Sequence, residues 1–177
     1  VLAYFRMAIN LKDEEALKRT INYPARGIGT TTIQKLIISS NENDISIWEV
    51  ISDLDKFDIK INSGTRNKLK SYVTLIKSFA SQTESKNAYD LADHITKTSG
   101  LFTLLKSDTS PEGVSRFENI QELLSGMQDF IENYDGDTNP ILSEFMKDVA
   151  LLTDTDKEKK EDFNKVTLMT IHASKGL

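Results

Sequence analysis

The chain has 177 residues, 38% hydrophobic and 28% charged, enough for one domain with a core and without the bias of a disordered or fibrous protein. Its 22 Lys and Arg against 27 Asp and Glu give a formal charge of −5, so no global basic field draws it to nucleic acid and any such contact must be local. With no cysteine there is no disulfide and no thiolate metal site, and the two histidines, His94 and His172, cannot form a histidine cluster.

Absence of cysteine fits a reducing cytosolic compartment. No run approaches the roughly 20 apolar residues that span a bilayer, and the opening Val-Leu-Ala-Tyr-Phe-Arg has no signal-peptide layout. The expectation is a soluble cytoplasmic protein of bacterial type with no membrane partner.

Helix signals follow one another from Val1 to about Leu152. Leu2, Phe5, Arg6 and Ile9 predict a first helix, and Asp13 caps a second that carries Ala16, Leu17 and Ile21. After Asn22-Tyr-Pro24 and Arg26-Gly-Ile-Gly29, Thr30 or Thr31 is the expected N-cap of a helix with Ile33, Leu36 and Ile37; Ser46 caps a short one with Trp48, Val50 and Ile51. From about Thr65 to Ala80 the positions Leu69, Tyr72, Val73, Ile76 and Phe79 fall at helical spacing, and a further helix carries Leu91, Ala92 and Ile95 to a stop at Gly100. Ser110-Pro111-Glu112 is an N-cap, first-turn proline and first-turn acid, leading into a stripe of Val114, Phe117, Ile120, Leu124, Met127, Ile131 and Tyr134 that reads as core. Asn139-Pro140 repeats the start signal for a helix with Ile141, Phe145, Met146 and Val149.

From Asp154 to Asn164 the chain is rich in charge of both signs and reads as a solvated connector. Val166, Leu168, Met169 and Ile171, interleaved with Thr167 and Thr170, then form the pattern of a covered strand, with His172-Ala-Ser-Lys-Gly176 at its carboxyl end, where ligands bind in open α/β sheets. Lys175 would supply a point charge there and Gly176 close backbone approach to a phosphate.

Asn22 to Leu36 has the layout of a helix-hairpin-helix element. Gly27 and Gly29 can take backbone angles closed to other residues, and the free N–H groups at the start of the following helix offer an anion site suited to a DNA phosphate. Arg26, Thr30, Thr31 and Lys35 are the side chains placed nearest. The plain alternative is a tight turn between packed helices, with Ile28 pinning it to the core. Gly27 and Gly29 do not open a dinucleotide fingerprint, because position 32 is Thr. His94, beside Leu91 and Ile95, reads as a packed helix residue. Asp135-Gly-Asp-Thr-Asn139 begins like a calcium loop, but Pro140 and Met146 stand where glycine and glutamate are needed. No metal site, and no nucleophile with its base and acid, can be assembled.

Thr-Leu-Met-Thr-Ile-His-Ala-Ser-Lys-Gly-Leu177 resembles motif V of the UvrD/PcrA/Rep family of superfamily 1 DNA helicases, and Val1 to Leu152 is similar to the helical 2B domain inserted before that motif, at VLAYFRMAIN, YPARGIGTTTIQKL and RFENIQELL. The resemblance implies a mostly α fold: a multi-helix 2B-like domain at 1–152, a charged linker at 153–165, and at 166–177 one β-strand of an α/β motor domain. It also implies duplex contact by Arg26, Gly27, Ile28, Gly29, Thr30, Thr31 and Lys35, and single-strand contact by Thr170, His172, Ser174, Lys175 and Gly176. The parent would be an ATP-dependent 3′-to-5′ DNA helicase using ATP and Mg and meeting DNA, the rest of its own chain, and repair or replication proteins. The chain itself has no GxxxxGK[ST] loop and no Walker B run, so by itself it is expected to be inactive, with no catalytic residue and no cofactor. The alternative role is a protein-interaction or autoinhibitory module.

Overall fold

The computed structural model describes residues 1–136 and 139–158, and all nine α-helices below lie among them. They are α1 (Leu2–Ile9), α2 (Glu14–Thr20), α3 (Thr30–Asn43), α4 (Ile47–Ser52), α5 (Ser63–Ala80), α6 (Ala88–Thr98), α7 (Leu101–Ser107), α8 (Pro111–Glu132) and α9 (Leu142–Glu158), with a single 3-10 turn at Leu54–Lys56. Among the described residues there is no strand. The terminal strand expected at 166–171 lies outside them.

The chain divides into two units, Val1–Met146 and Lys147–Leu177, and of the second the structure describes the continuation of α9 through Glu158. Residues 153–158 of the expected linker are thus helical.

The helix starts follow from local chemistry. Asp13 accepts from the Ala16 N–H at 3.0 Å and Ser110 from that of Gly113 at 3.0 Å, each satisfying an orphan donor of its first turn. Ser46 and Glu49 form a full capping box at α4. The α5 and α6 caps are Asn62 and Asn87, which accept from Thr65 and Asp90. Gly100, at φ 87°, separates α6 from α7, a left-handed position that costs glycine little.

In the first unit α1 is the central element, packed on α2, α5 and α6, while α8 lies against α6 and α7 and α3 against α4. Its buried face is Tyr4, Phe5, Met7 and Ala8, whereas Leu2 and Ile9 are each 40% exposed. The helix expected from Leu2, Phe5, Arg6 and Ile9 is present, and of these four Phe5 is the one buried in the core. Across it α5 supplies Leu69, Tyr72, Ile76 and Phe79, all but sealed from solvent, each contributing about 1.5 to 3 kcal/mol of burial. Phe79 meets Tyr4 edge-on at 6.4 Å and His94 at 5.8 Å, so His94 is a half-buried packing residue.

The α8 stripe is only partly core. Ile120 and Met127 are buried and Phe117 packs edge-on against Phe102 at 5.2 Å, but Val114 is 46% and Tyr134 36% exposed. Near the C-terminal end of α8, Phe130 packs on Phe145 at 5.4 Å, and Leu142 is buried. The last helix begins at Leu142, two residues beyond Pro140, whose carbonyl instead receives the Ala88 N–H at 2.8 Å.

Candidate nucleic-acid interface

Between α2 and α3 the chain turns through residues 21–29, and one side chain organises that turn. The Asn22 Oδ1 accepts from the Arg26 N–H at 2.9 Å and from the Ile28 N–H at 3.0 Å, doing for this loop what a backbone carbonyl does in a regular element. Ile28, fully buried, anchors the tip. Gly27 stands at φ 70°, a conformation that calls for glycine, and a Cβ there would lie 2.6 Å from the Lys68 Nζ, the movable tip of an exposed side chain.

Gly29 differs from the expectation. Its φ of −77° and ψ of 165° are open to any residue, and a Cβ there would meet nothing within 4 Å. It is the N-cap of α3, the place expected of Thr30 or Thr31, and no side chain caps the helix. The threonines stand one and two residues later, at N1 and N2, because the fixed loop delivers the chain in extended geometry at Gly29. The N–H groups of Gly29, Thr30 and Thr31 have no partner within the described residues, and all three residues are exposed. Three donors at the positive end of a 14-residue helix, beside open space, suit an anionic oxygen.

Arg26 faces the other way. Its Nη1 donates to the carbonyls of Thr20 at 2.9 Å and Pro24 at 3.2 Å, and its Nη2 to the Tyr4 Oη at 2.6 Å and the Ser99 carbonyl at 3.2 Å. The guanidinium carbon lies 5.8 Å from the Tyr4 ring centre and 5.6 Å from that of Tyr72. The Tyr4 hydroxyl in turn donates to the Tyr23 carbonyl at 2.6 Å, and the Tyr72 and Thr20 hydroxyls are 2.7 Å apart. Burial pushes both phenols up from their ordinary pKa, which keeps them neutral.

Lys35, more than a turn into α3, gives its Nζ to the Lys60 carbonyl at 2.7 Å and lines a groove of about 390 Å³ with Ile38, Phe57 and Lys60. The structure thus brings Gly27, Ile28, Gly29, Thr30 and Thr31 together at the turn, turns Arg26 inward, and sets Lys35 to the side. Sequence reasoning missed Asn22, whose position two residues before Pro24 signals a side-chain-capped turn, and Lys68, whose Nζ lies 3.4 Å from the Gly27 carbonyl across 41 residues. Thr170, His172, Ser174, Lys175 and Gly176 lie outside the described residues.

The described residues form a helical domain whose α3 starts without a side-chain cap behind a Gly-Ile-Gly turn. The chain belongs to the UvrD-like helicase C-terminal domain family, whose model matches residues 1–177. It is 30% identical to the ATP-dependent DNA helicase PcrA of Staphylococcus aureus over 177 residues, all of this chain and 24% of that protein. Its similarity to the PcrA of Staphylococcus epidermidis has the same extent, so the chain spans about a quarter of the length of the curated relatives it matches. The sequence contains no phosphate-binding GxxxxGK[ST] loop, and among the described residues no three acidic or histidine side chains converge as metal ligands. Nor is any helix among them long and apolar enough to cross a membrane.

Proposed function

We propose that the chain is the 2B-type region of an ATP-dependent 3′-to-5′ DNA helicase, holding duplex DNA by a backbone phosphate at the Asn22–Thr31 turn, with Val166–Leu177 contributing motif V of the motor. The supporting observation is the start of α3, where three successive N–H groups stand unpaired next to a glycine that has no structural need to be one. Contacts of this kind fix DNA without reading bases, as a motor working on any sequence requires. The relatives' name supplies the ATP-dependent activity; ATP, Mg and the remaining motor residues belong to the rest of the parent protein, and this chain alone is expected to hydrolyse no ATP.

The test is fluorescence anisotropy of a duplex with a 3′ single-stranded tail, at two salt concentrations, with the native chain and Gly29→Asp. Aspartate is a good N-cap, so the substitution should raise stability by a few tenths of a kcal/mol while placing a carboxylate where the phosphate would sit. Salt-sensitive binding by the native chain, lost in the more stable variant, is the expected result. Absence of binding by both would reject the duplex reading in favour of a protein-interaction or autoinhibitory role, for which the −5 charge and the exposed Leu104 and Val114 speak.

A further inference from the structure

We infer that the two cations nearest the Gly-Ile-Gly turn divide the labour in an order opposite to their sequence positions: Arg26 is a positioning residue that touches no DNA, and Lys68, 41 residues away, is the cation that meets the phosphate. The inference rests on the duplex-binding reading above.

The case for Arg26 is saturation. Four donations from its two terminal nitrogens go to the C-terminal end of α2, the turn itself, α1, and the end of α6, and two aromatic rings flank the group. A guanidinium can serve four acceptors in a fixed plane; an ammonium, with three donors, cannot. Turning it outward to a phosphate would strip the Thr20, Pro24 and Ser99 carbonyls of a charged donor. What the side chain does instead is brace the loop before Gly27 against the ends of α2 and α6 and the Tyr4 hydroxyl of α1, which itself holds the Tyr23 carbonyl, so that the N–H groups of Gly29, Thr30 and Thr31 are held in place.

The case for Lys68 is placement with freedom. It is exposed, and among the described residues no carboxylate pairs with it and its one hydrogen bond is the long 3.4 Å contact to the Gly27 carbonyl. Its neighbours on α5 are committed, Arg66 and Lys70 both pairing with Asp55. The missing Cβ of Gly27 is what lets the ammonium lie over the turn.

The experiment measures tailed-duplex affinity against salt for the native chain, Lys68→Gln, Arg26→Gln and Arg26→Lys, with amide hydrogen exchange at residues 27–31 of each free protein. Lys68→Gln should weaken binding several-fold at low salt and reduce the slope of log affinity on log salt by about 0.9, the release of one counterion, with exchange at the turn unchanged. Arg26→Gln and Arg26→Lys should both weaken binding with the slope unchanged and speed exchange at Ile28 at least tenfold. Arg26→Lys keeps the charge, so native-like binding by it, or a slope reduced in Arg26→Gln with undisturbed exchange, would overturn the positioning role. An unchanged slope in Lys68→Gln would overturn its half. Should the native chain bind no duplex, the phosphate role of Lys68 falls with the duplex reading, while exchange in the Arg26 variants still decides whether that residue holds the turn; if Arg26→Gln fails to fold, Arg26→Lys carries the comparison.

Discussion

Asn22 and Ile28 carry the shape of the turn between them, one by hydrogen bonds and one by burial. Replacing Asn22 with Ala leaves two part-buried N–H groups without acceptors, and a loss of about 2 kcal/mol is expected in urea unfolding. Ile28→Ala removes a fully buried side chain at the loop tip and should cost about 2 to 4 kcal/mol, while Ile28→Val should cost about 1. At this scale the sequence was legible where a residue's role is set by its near neighbours: Asp13, Ser46 and Ser110 cap the helices that their positions announce. Arg26 was not, because the groups that claim it include Tyr4 and the Ser99 carbonyl, 22 and 73 residues away. Its charge and its place beside two glycines suggested a surface contact; only the packing of α1 and α6 shows the pull inward.

Among the elements, α4 shows how a short helix is held by its first turn. The Glu49 carboxylate accepts from the Ser46 hydroxyl at 2.6 Å and its N–H at 2.9 Å, and from the Lys12 Nζ at 3.0 Å. These hydrogen bonds, those from Ser46 first, hold its pKa down from 4.5 to about 2. A group depressed in the folded state stabilises fully above its unfolded value and loses that contribution as pH falls through the folded one. Stability should therefore decline between pH 4.5 and about 2, and Glu49→Gln should flatten the dependence of Tm on pH across that window. Helix existence was readable at this scale for α2, α5, α6 and α8, whose stripes and caps agree. The seven-residue α7 was not, since Leu101, Leu104 and Leu105 follow Gly100 with no capping side chain to mark a new start. The start of α3 was misplaced by one or two residues for a related reason: threonine and glycine are comparable caps by propensity, and the loop geometry gives that place to Gly29.

Over the whole molecule, every buried apolar residue among the described ones lies at or before Phe145. A chain ending at Leu151 should accordingly keep its helical circular dichroism and melt in a single transition within a few degrees of the full chain; a broad, early transition would show that the core extends further. The net charge of −5 bears on the proposed duplex binding: the molecule's overall field does not attract DNA, so on that proposal a few placed groups must, and affinity should fall with salt in proportion to a small number of phosphates. The class of fold was legible from the run of helix signals, and the family from long words such as YPARGIGTTTIQKL. Which cation faces outward depends on how α5 crosses the turn, and no pattern local to either segment encodes that crossing.

The unoccupied space around Gly29 sets a trap for directed evolution. Because a Cβ there meets nothing and the helix it begins has no side-chain cap, a heat-tolerance screen would enrich aspartate, serine or asparagine at this position, each an improvement by the criterion applied. If the turn holds phosphate, the aspartate winners of such a screen would be hardier proteins with a weakened grip. A library meant to toughen this domain should therefore hold position 29 fixed and search among the capped helices instead.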